Sequence, residues 1–145
     1  MKLTTKSRYA INALTELSNL SSNGPVALKD IANRQNIEVT YLEQLFRKLR
    51  IAGIVKSIRG RQGGYVYAYD PETISIKQVM DAVDENLDAT NCKGSTTCFS
   101  GQECSSHKLW HELNTVVKDF LSNVFIDQLA KDKSRSSISL REIHS

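Results

Sequence analysis

The sequence lacks the features that would place the protein in a membrane, outside the cell or among the enzymes. No apolar run approaches the roughly 20 residues that a membrane-spanning helix needs. Residues 1–20 have a basic start but no signal-peptide core, because polar side chains interrupt the apolar ones. The cysteines number only 3, an odd count that argues against paired disulfides. Since no nucleophile–base pair or carboxylate pair has supporting context either, we expect a cytoplasmic, non-enzymatic protein with reduced thiols.

The charge of the chain is divided unevenly between its two halves. Residues 1–68 contain 11 Lys and Arg against 4 Asp and Glu, whereas residues 69–145 contain 8 against 12. A basic first half beside an acidic second half is typical of a nucleic-acid binder with a separate regulatory or assembly part. A solvated, lysine-rich surface would give the same charge, so the motifs must decide between the two interpretations.

Hydrophobic periodicity predicts three helices in the basic half. Apolar residues recur at steps of three and four over residues 6–21 and 28–35. A third helix is predicted to begin at Thr40, where Thr40 and Glu43 fit a capping box, and to end at Gly53. Two helices joined by a short turn, the second with basic and amide side chains, predict a helix-turn-helix.

A hairpin is predicted directly after the third helix. Residues alternate with period two on both sides of a glycine-rich turn at residues 60–64. The alternating residues are Ile54, Lys56 and Ile58, then Tyr65, Tyr67 and Tyr69. A phosphate-binding loop is a poorer interpretation, because the turn lacks the Lys-Ser/Thr ending of a P-loop and precedes a strand. A hairpin after a recognition helix is a wing, so the first 70 residues predict a winged helix-turn-helix.

A long amphipathic helix is predicted in the acidic half, after a fourth helix that contains Ile76, Val79, Met80 and Val83. Its apolar residues repeat over residues 104–127 and make a surface wider than one small domain covers. We expect a second chain to cover part of this surface; packing on its own domain alone is the alternative. The predicted fold class is mainly α with a small β-hairpin wing, a winged helix-turn-helix plus a long C-terminal dimerisation helix.

Five regions follow from these patterns. They are a DNA-binding domain at 1–70, a connecting helix at 71–90, a cysteine-containing loop at 91–106, a dimerisation helix at 107–130 and a flexible tail at 131–145.

The third helix carries the side chains that we expect to read DNA. Gln44 can pair with adenine, arginines such as Arg50 with guanine, and Glu43 can accept a hydrogen bond from cytosine. Glu43 is equally explained as the end of the capping box. If it does face DNA, its charge acts mainly against wrong sites.

The wing tip is the second predicted DNA contact. Arg59 and Arg61 flank Gly60 there, and an arginine on a hairpin tip can enter a narrow minor groove. The alternative is a pair of solvated arginines on a loop.

All three cysteines lie in one polar stretch. Cys92, Cys98 and Cys104 are spaced by six, and His107 follows the last by three. Three thiolates and one imidazole suit tetrahedral zinc, although zinc ligands usually come in closer pairs. Iron–sulphur clusters also take mainly thiolates with occasional histidine, so the spacing leaves zinc and a cluster open. His107 could alternatively be a surface or interface histidine, but at i and i+3 on a helix it would share a face with Cys104.

Four stretches together resemble a known family. LTTKSRYA, VTYLEQLFRKLRIAGIVKSIRGRQGGY, VDENLDATNC and the C-x5-C-x5-C-x2-H pattern are similar to the IscR branch of the IscR/NsrR family of winged-helix transcription factors. The resemblance extends to about residue 127. One departure lies in the wing, where Arg61 and Gln62 stand in place of a proline-glycine run.

The resemblance implies a homodimeric transcription factor that senses iron–sulphur cluster status. It implies a [2Fe-2S] cluster held by Cys92, Cys98, Cys104 and His107, delivered by the cluster-assembly machinery, with double-stranded operator DNA as partner and no membrane. The implied DNA contacts are Thr40, Tyr41, Glu43, Gln44 and Arg59. A nitric-oxide-responsive repressor of the NsrR branch is the alternative within the family. Outside it, a zinc-stabilised DNA-binding protein and an electron carrier remain, although a carrier has no use for a basic winged helix.

Overall fold

The computed structural model describes residues 4–88 and 105–132. Its helices are α1 (Thr5–Leu20), α2 (Leu28–Gln35), α3 (Val39–Ile51), α4 (Ile76–Ala82), α5 (His107–Ser122) and a last helical segment, α6, at residues 126–132. Its strands are β1 (Val55–Ile58) and β2 (Gly64–Tyr67), and 3-10 turns lie at Ser21–Asn23 and Pro71–Thr73.

The first three helices bury one apolar stripe each against a common core. In α3 the buried residues recur at three- and four-residue steps, as an amphipathic helix requires. They are Leu42, Leu45, Phe46 and Leu49. Phe46 is completely buried and meets the ring of Tyr65 edge-on, with centroids 5.1 Å apart. The core thereby joins α3 to the hairpin, and the exposed side of α3 is left for other contacts.

The start of α3 differs from the sequence-based prediction. The helix begins at Val39, and its N-cap, Glu38, makes no side-chain capping bond. Thr40 is therefore already inside the helix and does not have the extended backbone that an N-cap residue needs. The predicted capping box of Thr40 and Glu43 is wrong.

The hairpin has the predicted position. β1 and β2 pair antiparallel, with Val55 opposite Tyr67 and Ile58 opposite Gly64. The loop before α2 adds a bridge, in which the backbones of Val26 and Tyr65 bond to each other at 3.0 and 2.8 Å. A Cβ at Gly64 would lie 2.3 Å from the Val26 carbonyl oxygen, so this close approach requires glycine.

The base of the wing is attached to α1 through one tyrosine. The Tyr67 hydroxyl donates to the Leu14 carbonyl oxygen and accepts from the Ser18 hydroxyl at 3.1 Å. Burial raises the pKa of this hydroxyl well above its usual range; the Ser18 hydrogen bond opposes the rise, and the negative charge of Asp127 adds to it. Tyr67 therefore remains a neutral donor at any physiological pH, and the wing keeps its angle to the core.

The long helix of the acidic half is shorter than predicted. α5 ends at Ser122 rather than continuing to residue 127, and its 16 residues make it about 24 Å long. Beyond it the chain pairs with the stretch before α4: the Ile76 amide donates to Val124 at 2.8 Å and the Ile126 amide to Ile74 at 3.0 Å. These bonds need extended backbone, which interrupts the helix despite its continuing apolar pattern.

The chain after this break packs back onto the core. Ile126 is fully buried and Ala130 nearly so. Lys131 and Asp132 still belong to α6, so the predicted tail does not begin at residue 131; residues 133–145 lie outside the described part of the chain. None of the helices within residues 4–88 and 105–132 is long and apolar enough to cross a membrane.

Candidate nucleic-acid interface and cysteine loop

The exposed face of α3 presents most of the residues predicted to contact DNA. Thr40, Glu43, Gln44 and Arg50 are all exposed, on the side opposite the buried stripe. Tyr41 is half-buried, because its ring packs edge-on against Tyr9 with centroids 5.8 Å apart. Tyr41 therefore has a packing role as well as its predicted contact.

Glu43 does not take part in a capping box, which was the alternative to a DNA contact. It stands at the fifth position of α3, beyond the reach of a capping box. Within the described residues its carboxylate has no hydrogen-bond or ion-pair partner and is exposed. Glu43 therefore does not cap its helix, and its carboxylate is available for contacts at the surface of α3.

A groove of about 500 Å³ separates α3 from the wing, and Glu43 lies in its wall. Three cations share this wall, namely Lys29, Arg47 and Arg50. Sequence reasoning did not assign Lys29 or Arg47 to the interface. Arg47 could have been found, since it follows Glu43 by four on a helix. Lys29 could not, because only the packing of α2 beside α3 brings it there.

The wing tip extends beyond this groove. Arg59, Gly60 and Arg61 are exposed, and Gly60 has a φ of 119°, a conformation that favours glycine. The Gly63 amide donates to the Gly60 carbonyl at 3.0 Å and closes the turn. Gly60 thus shapes the tip, while the two arginines are the groups able to reach DNA.

The cysteine loop is described only at its C-terminal end. Cys92, Cys98 and Cys104 lie outside the described residues, and within those residues no cluster of His, Cys, Asp and Glu suited to a metal ion occurs. His107 is the first residue of α5, after a turn at residues 105–106, so the predicted start of this helix at residue 104 is wrong. The imidazole is 8% exposed and stacks on His111, with ring centroids 6.5 Å apart.

The donor set fits an iron–sulphur cluster by its chemistry. A buried imidazole at the start of a helix is shielded from bulk water, and three thiols precede it within 15 residues. Soft thiolates with one histidine are ligands that such clusters accept. Zinc accepts the same set, so chemistry alone does not separate the two.

Glu85, just before the loop, makes the densest polar contact of this region and was not singled out from the sequence. Its carboxylate accepts from the Thr4 hydroxyl at 2.7 Å, the Ser7 hydroxyl at 2.6 Å and the Thr4 amide at 3.2 Å. Burial raises the pKa of this carboxyl, but the hydrogen bonds from Ser7 and Thr4 lower it further, and the net pKa lies below its usual value. Its partners are far away in sequence, so no local pattern indicated it.

Glu85 should make the stability of the protein depend on acid. Because folding lowers its pKa, ionised Glu85 makes its full contribution to the free energy of unfolding above the ordinary carboxyl pKa of about 4.3. This contribution is lost as the pH falls through the pKa of the folded state. We expect Glu85→Gln to lower the Tm by about 2–4 °C at pH 7 and by progressively less as the pH falls below about 4.3. Thermal unfolding across pH measures this. The exposed Glu38→Gln is the control; a constant difference for Glu85→Gln would contradict the prediction.

The face of α5 that points away from the core is apolar. Leu109, Val116 and Phe120 are 57%, 64% and 66% exposed. Trp110 is half-exposed, and its indole donates to the Ser106 hydroxyl at 2.8 Å. Large side chains in one stripe of a soluble helix indicate an interaction surface.

Comparison with known protein families identifies the family of this chain. A family model, Rrf2, described as an iron-dependent transcriptional regulator, matches residues 3–132. The chain belongs to the Rrf2 family. Rrf2 members are transcriptional regulators, so the prediction of a DNA-binding, non-enzymatic protein is confirmed.

Individual Rrf2 relatives are similar over nearly the whole chain. The HTH-type transcriptional regulator IscR of Vibrio vulnificus is 47% identical over 142 residues, which are 98% of this chain and 84% of the relative. The protein of the same name from Pectobacterium atrosepticum is 42% identical, over 98% of this chain and 87% of the relative. The predicted resemblance is therefore confirmed.

Solved structures support the same assignment. CymR, the global cysteine regulator of B. subtilis, superimposes with a TM-score of 0.78 at 33% identity, covering 90% of this chain and 97% of CymR. IscR of T. potens gives a TM-score of 0.76 at 30% identity, covering 94% and 90%. The predicted winged-helix fold class is confirmed by these neighbours.

Proposed function

We propose that the protein is a homodimeric regulator of the IscR type, which binds operator DNA and senses iron–sulphur cluster status through a [2Fe-2S] cluster. The observation that carries this proposal is the combination of a winged helix with three cysteines and a buried histidine in one short stretch. The similarity to proteins named IscR supports it. The proposed ligands are Cys92, Cys98, Cys104 and His107.

On the DNA side, two kinds of contact are proposed. We assign base reading to the exposed face of α3, with Thr40, Glu43, Gln44 and Arg50, and to the half-buried Tyr41 beside it. Positioning on the phosphate backbone belongs to Lys29 and Arg47 in the groove wall, and minor-groove contact to Arg59 and Arg61 at the wing tip around Gly60. Because cations dominate this surface, affinity should fall steeply with salt.

The dimer is proposed to form through α5. Its exposed stripe borders an apolar cavity of about 620 Å³ between α1, α4 and α5, lined by Ile11, Met80, Val116 and Phe120 among others. Apolar residues of a second copy would remove both surfaces from water. Two winged helices would then face two half-sites of one operator, as paired recognition helices usually do.

Sensing is proposed to depend on occupancy of the cysteine loop. The cluster would be present when iron is available and would be lost when iron is scarce or when oxidants destroy it. The chain contributes three thiolates and the His107 imidazole. Protons compete with iron for a histidine nitrogen, which makes occupancy more labile than four thiolates would. A cytoplasmic protein loaded by the cluster-assembly machinery would repress cluster-assembly genes when loaded and release those sites when empty. The empty form is proposed to retain a second class of operators.

Composition after anaerobic purification tests this proposal directly. We expect a coloured protein with two iron and two sulphide per chain, eluting as a dimer, with visible absorption that disappears in air. A colourless protein that contains zinc would overturn the cluster assignment and favour the zinc-stabilised alternative. A cluster with four iron per chain and DNA release only by nitric oxide would favour the NsrR-type repressor.

Operator choice should depend on Glu43. Removing its charge is expected to admit duplexes that the wild-type protein rejects, because an unpaired carboxylate no longer opposes them. We expect Glu43→Ala to lower the ratio of affinities between preferred and rejected duplexes by about tenfold, mainly by tightening binding to the rejected ones. Fluorescence anisotropy at fixed salt measures both affinities.

A matched control for this test is Glu38→Ala, which removes the same charge one turn earlier, outside the groove wall. It should strengthen binding to all duplexes slightly and leave the ratio unchanged. An equal effect of the two substitutions would mean that Glu43 acts only through net charge.

A further inference from the structure

A short segment between α4 and the cysteine loop contacts three helices at once. We call residues 84–88 the coupling segment. Asp84 Oδ2 accepts from Lys48 Nζ in α3 at 3.0 Å, and Asp88 Oδ1 accepts from Asn114 Nδ2 in α5 at 2.8 Å. Between them, Glu85 receives the bonds from Thr4 and Ser7 at the start of α1. The segment thus joins the recognition helix, the first helix and the proposed dimer helix.

The first residue of the segment has an unusual backbone. Asp84 has a φ of 61°, the left-handed conformation, and its amide and that of Glu85 donate back to Asp81 and Met80 at 3.2 and 2.9 Å. This is the Schellman ending of a helix, a position that glycine usually occupies. Glycine could not make the contact to Lys48, so the aspartate supplies a tether to α3 at a position where the backbone favours a smaller residue.

Glu85 replaces a missing local cap. Thr4 is the N-cap of α1, but its own side chain makes no capping bond within the helix. The Glu85 carboxylate takes the Thr4 amide instead, and its negative charge lies at the positive end of the α1 dipole. The coupling segment therefore holds the start of α1, and α1 also contacts the base of the wing through Tyr67.

We infer that Asp84 and Glu85 are positioning residues, which make the placement of α3 and α1 depend on the state of the adjoining cysteine loop. This inference rests on the proposed function. Cys92 follows Asp88 by four positions, so engagement of Cys92 as a ligand constrains the C-terminal end of the segment. Hydrogen bonds and ion pairs that connect rigid elements are the routes by which two sites are coupled.

The two tethers differ in strength. The Asp84–Lys48 pair is largely solvent-exposed, and such pairs contribute little. Glu85 accepts several bonds, of which the shortest come from hydroxyl groups, and bonds to an ionised acceptor are among the stronger ones. Glu85 should therefore carry most of the coupling and Asp84 a smaller share.

The test compares loaded and empty protein on the same DNA. The probe is a duplex selected from a random pool by the loaded wild-type protein after removal of the sequences that the empty protein binds. The wild-type ratio of empty to loaded Kd defines the coupling. We expect Glu85→Gln to lower this ratio by at least about fivefold, with the affinity of the empty form unchanged within about twofold. Asp84→Asn should lower it less. Asp81→Asn, whose partner Lys77 lies in α4 itself, is the matched control and should leave the ratio unchanged.

A second variant and a second measurement keep a folding defect from being mistaken for lost coupling. Ser7→Ala removes one donor to Glu85 from the α1 side and should lower the ratio in the same direction. Amide hydrogen exchange in the first turn of α1 should differ between the loaded and empty wild-type protein, and this difference should disappear in Glu85→Gln. If Glu85→Gln does not fold, Ser7→Ala decides the outcome.

The possible failures are distinguishable. A wild-type protein that binds no cluster, or whose affinity is the same loaded and empty, would overturn the proposed function. The second failure would be a wild-type protein that binds more tightly when loaded, together with Glu85→Gln and Ser7→Ala variants that have the same ratio of empty to loaded Kd. That result would overturn only the coupling role of Asp84 and Glu85.

Discussion

Phe120→Glu is expected to convert the protein from a dimer into a monomer and to weaken operator binding by more than about 100-fold. Phe120 is 66% exposed in the single chain and lies at the C-terminal end of the apolar stripe of α5. A carboxylate there would have to be buried without a partner in the proposed dimer, which is strongly unfavourable. A monomer would then contact one half-site instead of two, and the gain from linked binding would be lost.

Sedimentation and anisotropy with operator DNA measure the two consequences separately. Thr115→Glu is the matched control, since it adds the same charge to the exposed polar side of the same helix. It should leave both the dimer and the DNA affinity unchanged. A Phe120→Glu protein that sediments as a dimer would contradict the assignment of α5, and a monomer with full affinity would contradict the role of the dimer in binding.

Cys98→Ala is expected to abolish the visible absorption completely and to leave the protein permanently in its empty form. Three remaining ligands cannot complete the proposed set, and the loop offers no other thiol. On duplexes that need the loaded form, affinity should fall to that of the empty wild-type protein. On duplexes that the empty form selects, affinity should be unchanged.

Iron content, absorption and anisotropy check the cysteine prediction, with Ser100→Ala as a control in the same loop. His107→Cys provides the opposite change, because a fourth thiolate replaces the imidazole. Its absorption should persist longer in air. Unchanged cluster lifetime and unchanged repression in His107→Cys would show that His107 does not tune occupancy.

The sequence by itself determined the elements of the DNA-binding half. A helix buries one face at a period of 3.6 residues and a strand at a period of 2, so the apolar pattern specified α1, α2, α3 and the hairpin. The glycine-rich turn marked the wing tip for the same local reason. The spacing of Cys92, Cys98, Cys104 and His107 is likewise a property of the sequence, although it left zinc and a cluster as alternatives.

Local signals also misled at two boundaries. Thr40 and Glu43 have the residue types of a capping box, but the helix begins at Val39 and uses neither as its cap. The apolar repeat continues past Ser122, yet the chain there forms backbone bonds with the stretch before α4. At the second boundary, tertiary backbone bonds outweighed a local helical preference that contributes less than about 1 kcal/mol per residue.

Only the tertiary structure decided which distant groups act together. Lys29 joins Arg47 across the packing of α2 on α3, and Glu85 binds the N-cap residue of α1, which lies 81 residues earlier. A hydrogen bond between residues so far apart leaves no periodic trace in the chain, because its geometry depends on how whole helices pack. The sequence therefore determined the elements and the donor set of this regulator, whereas the fold determined the groove wall and the contacts that join residues 84–88 to α1, α3 and α5.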